Sequence, residues 1–250
     1  MNHIIDQLFK SSNPGLIPFS LQHIILLIAP IVLILLLVLN KERLKSKKYS
    51  CVIKNGLLIM LLIHQVLLYT WYLFTESFNI KDALPLYPCR ICGILCIVLL
   101  IKMNKQLFDL LFFWGLPGAT IALLVPDTSN LGFPNAMFIQ FFIGHIGILV
   151  AIVYLLLIQN YYPTRKSLLN CYKISFVYVA GIIIFNKLAN SNYAYLAEKP
   201  SSSFLDKLPG YPFHIPIFVG FMFLSFYIIQ ALWTFLFYTD NITNTADTTI

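Results

Sequence analysis

Charged residues are scarce in this sequence. Asp, Glu, Lys and Arg make up only 11% of the 250 residues, and 59% of the residues are hydrophobic. A soluble domain usually carries about a quarter charged residues. Apolar runs of about twenty residues, the length that spans a bilayer, recur along the whole chain. The sequence therefore excludes an ordinary soluble domain and predicts an all-α polytopic protein that crosses the cell membrane several times.

Three other patterns are missing. The five cysteines lie in or beside apolar runs and do not pair up in loops, so we expect no disulfide framework. No second CxxC or CxxH motif accompanies Cys89 and Cys92, so we expect no metal site, and nothing in the sequence calls for a cofactor. The net charge of +7 does not indicate nucleic acid as a partner, because the basic residues stand in short loops that set membrane topology.

Seven apolar runs qualify as membrane-spanning helices. Basic residues cluster in the loops after the first, third and fifth runs, above all in "KERLKSKK" at 41–48. The positive-inside rule therefore predicts the N-terminus outside and the C-terminus in the cytoplasm. We interpret the chain as a single integral membrane domain, 1–250, with a polar, disordered tail at 239–250. The predicted spans are about 20–40, 51–74, 87–103, 106–125, 136–159, 167–188 and 211–238.

Several polar residues interrupt or border these runs on the predicted outer side. Ionisable residues inside membrane spans are costly and are by default candidates for function. Structural interpretations stay open for four of them: a hydrogen bond to a neighbouring helix for His64, a turn or cap for Asp127, a place at the membrane interface for His214, and a purely structural role for His145. The candidates are His64, Cys89, Arg90, Asp127, His145, Asn186 and His214.

The stretch "LPLYPCRICG" around Cys89 places a cysteine and an arginine together where an apolar helix begins. Pro88 suits the first position of a helix, because its missing N–H is no loss there. Cys89 then lies in the first turn, where the helix dipole and the Arg90 charge both favour a thiolate. A nearby histidine acting as base would complete a Cys/His arrangement for acyl transfer. We interpret Cys89 as an activated nucleophile.

His145 lies within the fifth predicted span, nine residues after its outer start. Gly144 and Gly147 flank it and would allow another helix or a ligand to approach closely. It lies roughly 14 Å below the start of its span by helical rise, whereas Cys89 opens its own span. The two side chains meet only if the span of Cys89 begins below the membrane surface. That span is short, and the proline-broken segment "ALPLYP" precedes it, so this geometry is possible.

Three longer motifs point to a known family. The runs "FFWGLPGATIALLVPD", "FPNAMFIQFFIGH" and "NYAYLAEKPSSSFLD" occur in this order between 84 and 212. With them the chain resembles the YwaF-type bacterial integral membrane proteins, whose eukaryotic relative is transmembrane protein 164. The chain departs from the bacterial pattern after the third run, where it reads "YPFH" in place of a Trp-Pro-aromatic-Tyr run.

The resemblance implies both a fold and an activity. The fold it implies has seven spans. The activity, that of the eukaryotic relative, moves a fatty acyl chain from a phospholipid to a lysophospholipid. Carried over by motif, the catalytic pair falls on Cys89 in "LYPCRI" and His145 in "FFIGH". Membrane phospholipids and lysophospholipids are therefore the expected partners, and the remaining candidates are expected to bind substrate.

Two classes of function follow from these observations. In the first, the protein is a cysteine-dependent phospholipid acyltransferase, or a lipase if water replaces the acceptor, and Arg90 holds the lipid phosphate through its planar guanidinium. In the second, it is a transporter or a non-catalytic lipid-binding protein. The pair of glycines and the proline in "WGLPGA" resemble the broken helices of transport sites. The confinement of the polar candidates to one half of the membrane argues against a transport path.

Overall fold

The computed structural model describes residues 2–10, 13–159, 161, 163–199 and 207–246. These residues form nine α-helices and a short 3₁₀ turn at Tyr193–Tyr195, and they contain no strand beyond an isolated bridge between Pro14 and Leu131. The helices are α1 (Asn2–Phe9), α2 (Leu21–Leu39), α3 (Lys41–Leu44), α4 (Lys47–Phe74), α5 (Pro88–Ile101), α6 (Lys105–Leu124), α7 (Ala136–Gln159), α8 (Arg165–Ala189) and α9 (His214–Ala246).

Six helices in the described ranges are long and apolar enough to cross a membrane, namely α2, α4, α6, α7, α8 and α9. This confirms a polytopic all-α membrane protein. Helix α5 matches the remaining predicted span, but it has only 14 residues. At 1.5 Å per residue it is about 21 Å long, which is short for a hydrocarbon core of about 30 Å. The count of seven spans and the orientation of the termini stay predictions.

Helix ends differ from the predicted ones where helical hydrogen bonding continues into polar sequence. Helix α4 begins at Lys47, so part of the basic "KERLKSKK" segment is helical. Helix α9 runs on to Ala246, so 239–246 of the predicted disordered tail are helical, and the last four residues lie outside the described residues. Once a helix has formed, each further residue adds a hydrogen bond, so polar residues can extend an apolar helix.

The chain packs as two compact units, Met1–Tyr161 and Tyr162–Ile250. The first unit contains α1 to α7, and the second contains α8 and α9. In the first unit, α7 packs against α2, α4, α5 and α6, and Ala151 and Ile152 on α7 are fully buried. Helix α7 is therefore the central element of the first unit. The single domain expected from the sequence stays a prediction.

Helix α6 continues through Pro117 without interruption. A proline inside a helix cannot donate to the carbonyl four residues earlier, and it often kinks or ends the helix. Here regular helix extends for several residues on both sides of Pro117. The expectation of a broken helix at "WGLPGA" is therefore wrong, and the structural motif that suggested a transporter is not present in α6.

Candidate functional site

The ring of His64, on α4, lies in a space that Gly144 leaves on α7. A Cβ atom added at Gly144 would be 2.4 Å from Cε1 and 2.5 Å from Nδ1 of His64. Nδ1 is 2.8 Å from the carbonyl oxygen of Gln140. Because a carbonyl can only accept, Nδ1 carries the hydrogen and Nε2 keeps its lone pair. The helix that approaches α7 at its glycines is thus α4, whose Leu61 packs against Gly147 in the same interface.

The other side of the His64 ring faces α5 at Gly93. A Cβ atom added at Gly93 would lie 3.6 Å from Nε2 of His64 and 3.2 Å from the amide Nε2 of Gln65. The Gln65 nitrogen is buried and has no hydrogen-bond partner within the described ranges. Gly93 therefore leaves two polar nitrogen atoms of α4 against a part of α5 that has no side chain.

Cys89 lies in the first turn of α5, four residues before Gly93 and on the same helix face. By helical rise Cys89 lies about 6 Å nearer than Gly93 to the predicted outer side, which we call above. Helix α4 continues in that direction for about 15 Å beyond His64, to its end at Phe74. Helix α6 gives a similar depth for Cys89. A Cβ atom at Gly118 would be 3.7 Å from the Cys89 sulfur, and α6 continues beyond Gly118 to Leu124. Helix α5 therefore begins below the ends of α4 and α6, as the proposed meeting of Cys89 with a histidine requires.

His145 follows Gly144 on α7 and so lies at nearly the same depth as His64. It is buried, and its Nδ1 is 2.7 Å from the carbonyl oxygen of Phe141. Nδ1 therefore donates, and Nε2 is again the nitrogen with a free lone pair. We call His64, Gln65, Gly93, Gly144 and His145 the histidine layer.

Cys89 stands about one helical turn above the histidine layer and is partly buried. No hydrogen bond joins its thiol to His64 or His145 within the described residues. Catalytic hydrogen bonds are often long or unformed before substrate binds, so this geometry is compatible with a Cys/His pair. The close approach of Cys89 and His145 stays a prediction.

The guanidinium of Arg90 binds the loop between α4 and α5. Nη1 donates to the carbonyl oxygens of Asp82 and, at 3.1 Å, of Leu84, and Nη2 donates to the Tyr72 hydroxyl at 2.9 Å. The guanidinium carbon also lies 5.7 Å from the ring centroid of Tyr72 and 5.1 Å from that of Tyr87, within range of a cation–π interaction. Arg90 thus holds the loop that leads into Cys89. Its binding of a lipid phosphate stays a prediction.

Asp127 is exposed in the loop between α6 and α7. Its carboxylate accepts a hydrogen bond of 3.0 Å from the backbone N–H of Ser129. Aspartate often stabilises a turn in this way, by bonding the backbone two residues on. Asp127 therefore has the turn contact that the sequence offered as one of its interpretations, and its role in substrate binding stays a prediction.

Asn186 and His214 lie in the second unit, where they hold the loop that follows α8. The Asn186 amide donates to the carbonyl of Tyr193 at 3.0 Å and accepts from its N–H at 2.9 Å. His214 is fully buried, and its Nε2 donates to the carbonyl of Tyr195 at 3.1 Å. Ala194 and Tyr195 adopt left-handed φ angles of 56° and 55°. Such residues cost roughly 1–3 kcal/mol each, so these hydrogen bonds hold a strained turn. Substrate binding by Asn186 and His214 stays a prediction.

The other cysteines form no common site. Cys92 and Cys96 are buried in α5, as expected for small apolar residues, while Cys51 is exposed and Cys171 is buried. All five cysteines are free thiols. Among the residues that the structure describes, no three His, Cys, Asp or Glu side chains form a group that could hold a metal ion.

The sequence interpretation missed two polar residues. His23 is fully buried; it accepts from the Phe19 N–H at 2.8 Å and donates to the Leu123 carbonyl at 2.8 Å, so it links α2 to α6. Gln65 was missed although it stands beside His64 in "LIHQVL", where a second polar side chain in mid-span was a usable signal.

Comparison with known protein families finds a match over most of the chain. The sequence model of the TMEM164 family matches residues 18–230, a range that contains every candidate residue. No curated protein and no solved structure matches the chain.

Proposed function

The chain belongs to the TMEM164 family, and from this membership we propose that it is a phospholipid acyltransferase. The reaction is transfer of a fatty acyl chain from a phospholipid to a lysophospholipid through a thioester on Cys89. The observation that supports it best is the position of Cys89, below the ends of α4 and α6 and about one helical turn above His64 and His145. Both histidines carry a free Nε2 that can accept a proton.

In the first half of the reaction, Nε2 of His145 takes the thiol proton of Cys89. The sulfur attacks the ester carbonyl carbon of the donor phospholipid, so an S–C bond forms and the carbonyl electron pair moves to oxygen. When the carbonyl re-forms, the C–O ester bond breaks. The lysophospholipid leaves with the proton held by His145, and Cys89 keeps the acyl chain as a thioester.

In the second half, a lysophospholipid hydroxyl gives its proton to Nε2 of His145 and its oxygen attacks the thioester carbonyl. The C–S bond breaks, and the sulfur recovers the proton from the histidine. If water takes the place of the lysophospholipid, the same steps release a free fatty acid. The family resemblance assigns the base to His145, while His64, whose ring packs against Gly144, is proposed to contact the substrate.

Two features of the first unit suit a lipid donor. Gly118 places no side chain against the Cys89 sulfur, and the thiol is only partly buried. Arg90 and its loop lie directly beside Cys89, where the phosphate of a lipid whose ester reaches the thiol would come close. A guanidinium is well suited to binding phosphate, although Arg90 would have to divide its N–H donors between the phosphate and the loop carbonyls.

The test is acyl exchange by purified protein in mixed micelles of phospholipid and labelled lysophospholipid. We expect wild-type protein to form labelled phospholipid and Cys89→Ser to form none, because a serine alkoxide is much harder to generate than a thiolate. His145→Ala should lose on the order of 10²–10⁴-fold in rate, the usual contribution of a general base. Omitting the lysophospholipid and measuring free fatty acid separates transfer from hydrolysis.

Cys92→Ser is the matched control, because it makes the same chemical change one turn along the same helix, at a buried position. It should retain the activity. Mass spectrometry of wild-type protein without acceptor should find the acyl group on Cys89. Full activity in Cys89→Ser, with the thioester absent, would refute the proposed reaction.

A further inference from the structure

The amide nitrogen of Gln65 is a hydrogen-bond donor without an acceptor. It is buried, and the described part of the chain offers it no hydrogen-bond partner. Burying an amide without a hydrogen bond is unfavourable, and buried polar groups in proteins are nearly always paired. An unpaired donor inside a folded unit therefore suggests that a ligand supplies the acceptor.

The position of Gln65 indicates which ligand atom that is. Its Nε2 would lie 3.2 Å from a Cβ atom at Gly93, so this nitrogen packs against a stretch of α5 that has no side chain. Gly93 is one helical turn after Cys89 on the same face. Nε2 of His64 lies 3.6 Å from the same point at Gly93. Because Gly93 has no side chain, α4 thus brings a neutral donor and a nitrogen lone pair close to the α5 backbone, about one helical turn below the thiol.

We infer that Gln65 is a further catalytic residue, the donor that stabilises the negative oxygen formed when Cys89 attacks an ester. This inference rests on the proposed acyltransferase function. As the sulfur bonds to the carbonyl carbon, the carbonyl electron pair moves to oxygen, and that oxygen comes to lie beside the Gln65 amide and accepts a hydrogen bond from it. An uncharged donor held in a site without bulk water stabilises this charge at the moment it develops.

The inference also predicts how replacing Gln65 changes the melting temperature. Methionine has nearly the shape of glutamine but no N–H. If the free enzyme gains nothing from the Gln65 amide, Gln65→Met removes the desolvation penalty and leaves no partner unpaired, so the melting temperature should stay the same or rise. The acyl-transfer rate should fall about 10²–10³-fold, as for removal of an oxyanion donor elsewhere.

The deciding experiment observes the carbonyl itself. Cys51→Ser protein, which lacks the exposed thiol, is acylated on Cys89 with a ¹³C-carbonyl octanoyl imidazole, and infrared spectroscopy measures the thioester carbonyl stretch. A hydrogen bond from Gln65 weakens the C=O bond, so the stretch should lie at a lower frequency than in Gln65→Met or in the second variant, Gln65→Leu. The matched control is Gln230→Met.

Gln230 is a buried glutamine in the second unit whose Nε2 donates to the carbonyl of Pro163 at 3.1 Å. Gln230→Met should therefore lower the melting temperature and leave the carbonyl stretch unchanged.

The outcomes separate the inference from the proposed function. Equal carbonyl frequencies in wild type and Gln65→Met would overturn the role of Gln65, whether or not the wild type transfers acyl chains. A wild type that forms no labelled phospholipid would instead refute the acyltransferase proposal, and the carbonyl frequency would still decide whether Gln65 binds the acyl oxygen. A lower melting temperature with an unchanged frequency would make Gln65 a structural residue and overturn the inference.

Discussion

The contact between His64 and Gly144 leads to a quantitative prediction for Gly144→Ala. A Cβ atom at this position would be 2.4 Å from Cε1 and 2.5 Å from Nδ1 of His64, distances at which two heavy atoms overlap strongly. Because of this overlap the ring cannot stay in place, and moving it breaks its hydrogen bond to the Gln140 carbonyl. The substitution must therefore displace His64 or push the two helices apart.

The size of the effect follows from three contributions. Overpacking of a close-packed interface costs about 1–3 kcal/mol. Loss of the His64–Gln140 hydrogen bond adds about 0.5–1.5 kcal/mol. Replacing glycine by alanine inside a helix gives back about 0.5–1 kcal/mol, because alanine loses less backbone entropy on folding. Together these contributions give a decrease of about 0.5–4 kcal/mol, and we expect Gly144→Ala to lower the free energy of unfolding by about 2 kcal/mol, with overpacking as the largest contribution.

The effect of Gly144→Ala on the free energy of unfolding should change sign when His64 is removed. In a His64→Ala background the obstructing ring is absent, so Gly144→Ala should keep only its helix-forming benefit and stabilise the protein by about 0.5–1 kcal/mol. The difference between the two backgrounds is the coupling energy of the pair, which a double-mutant cycle isolates.

The measurement is reversible unfolding of the purified protein in detergent micelles, for wild type, both single variants and the double variant. Gly56→Ala on α4 is the matched control, because apart from its chain neighbours and the nearby backbone of α4 no atom of the described residues lies within 4 Å of a Cβ atom at Gly56. It should be neutral or stabilising in both backgrounds. Equal destabilisation by Gly144→Ala with and without His64 would refute the placement of the imidazole ring against Gly144.

Two further predictions concern Arg90 and the topology. Arg90→Lys should lower the free energy of unfolding by about 1–2 kcal/mol, because lysine lacks the planar fork that reaches two loop carbonyls and the Tyr72 hydroxyl at once. Arg43→Lys, at an exposed position in α3, is the control, and equal stability of both variants would contradict the role of Arg90 in holding the loop. A reporter fused after Ile250 should behave as cytoplasmic, because the basic loops follow the positive-inside rule. A reporter found outside would reverse the predicted orientation.

The amino-acid sequence by itself determined the helices and their class. Apolar length sets where a membrane helix can form, and this local property placed α2, α6 and α7 within a few residues of their observed ends. Local chemistry also set some boundaries, such as Pro88 at the start of α5 and the Thr164–Ser167 capping box before α8. The family could be identified from three short motifs, because these carry side chains that an ordinary membrane helix does not need.

The tertiary structure alone decided what each candidate side chain contacts. The sequence interpretation placed Arg90 on a lipid phosphate, and the structure shows its guanidinium on the carbonyls of a loop six to eight residues earlier. It left His64 open between two roles, and the fold put the ring into the gap at Gly144, eighty residues away in the chain. Only the packing of α4 on α5 determines that the Gln65 amide nitrogen is buried, with no acceptor among the described residues. Helix formation depends on neighbours in sequence, whereas burial, pairing and depth depend on which helices pack together, and the order of apolar runs does not encode that.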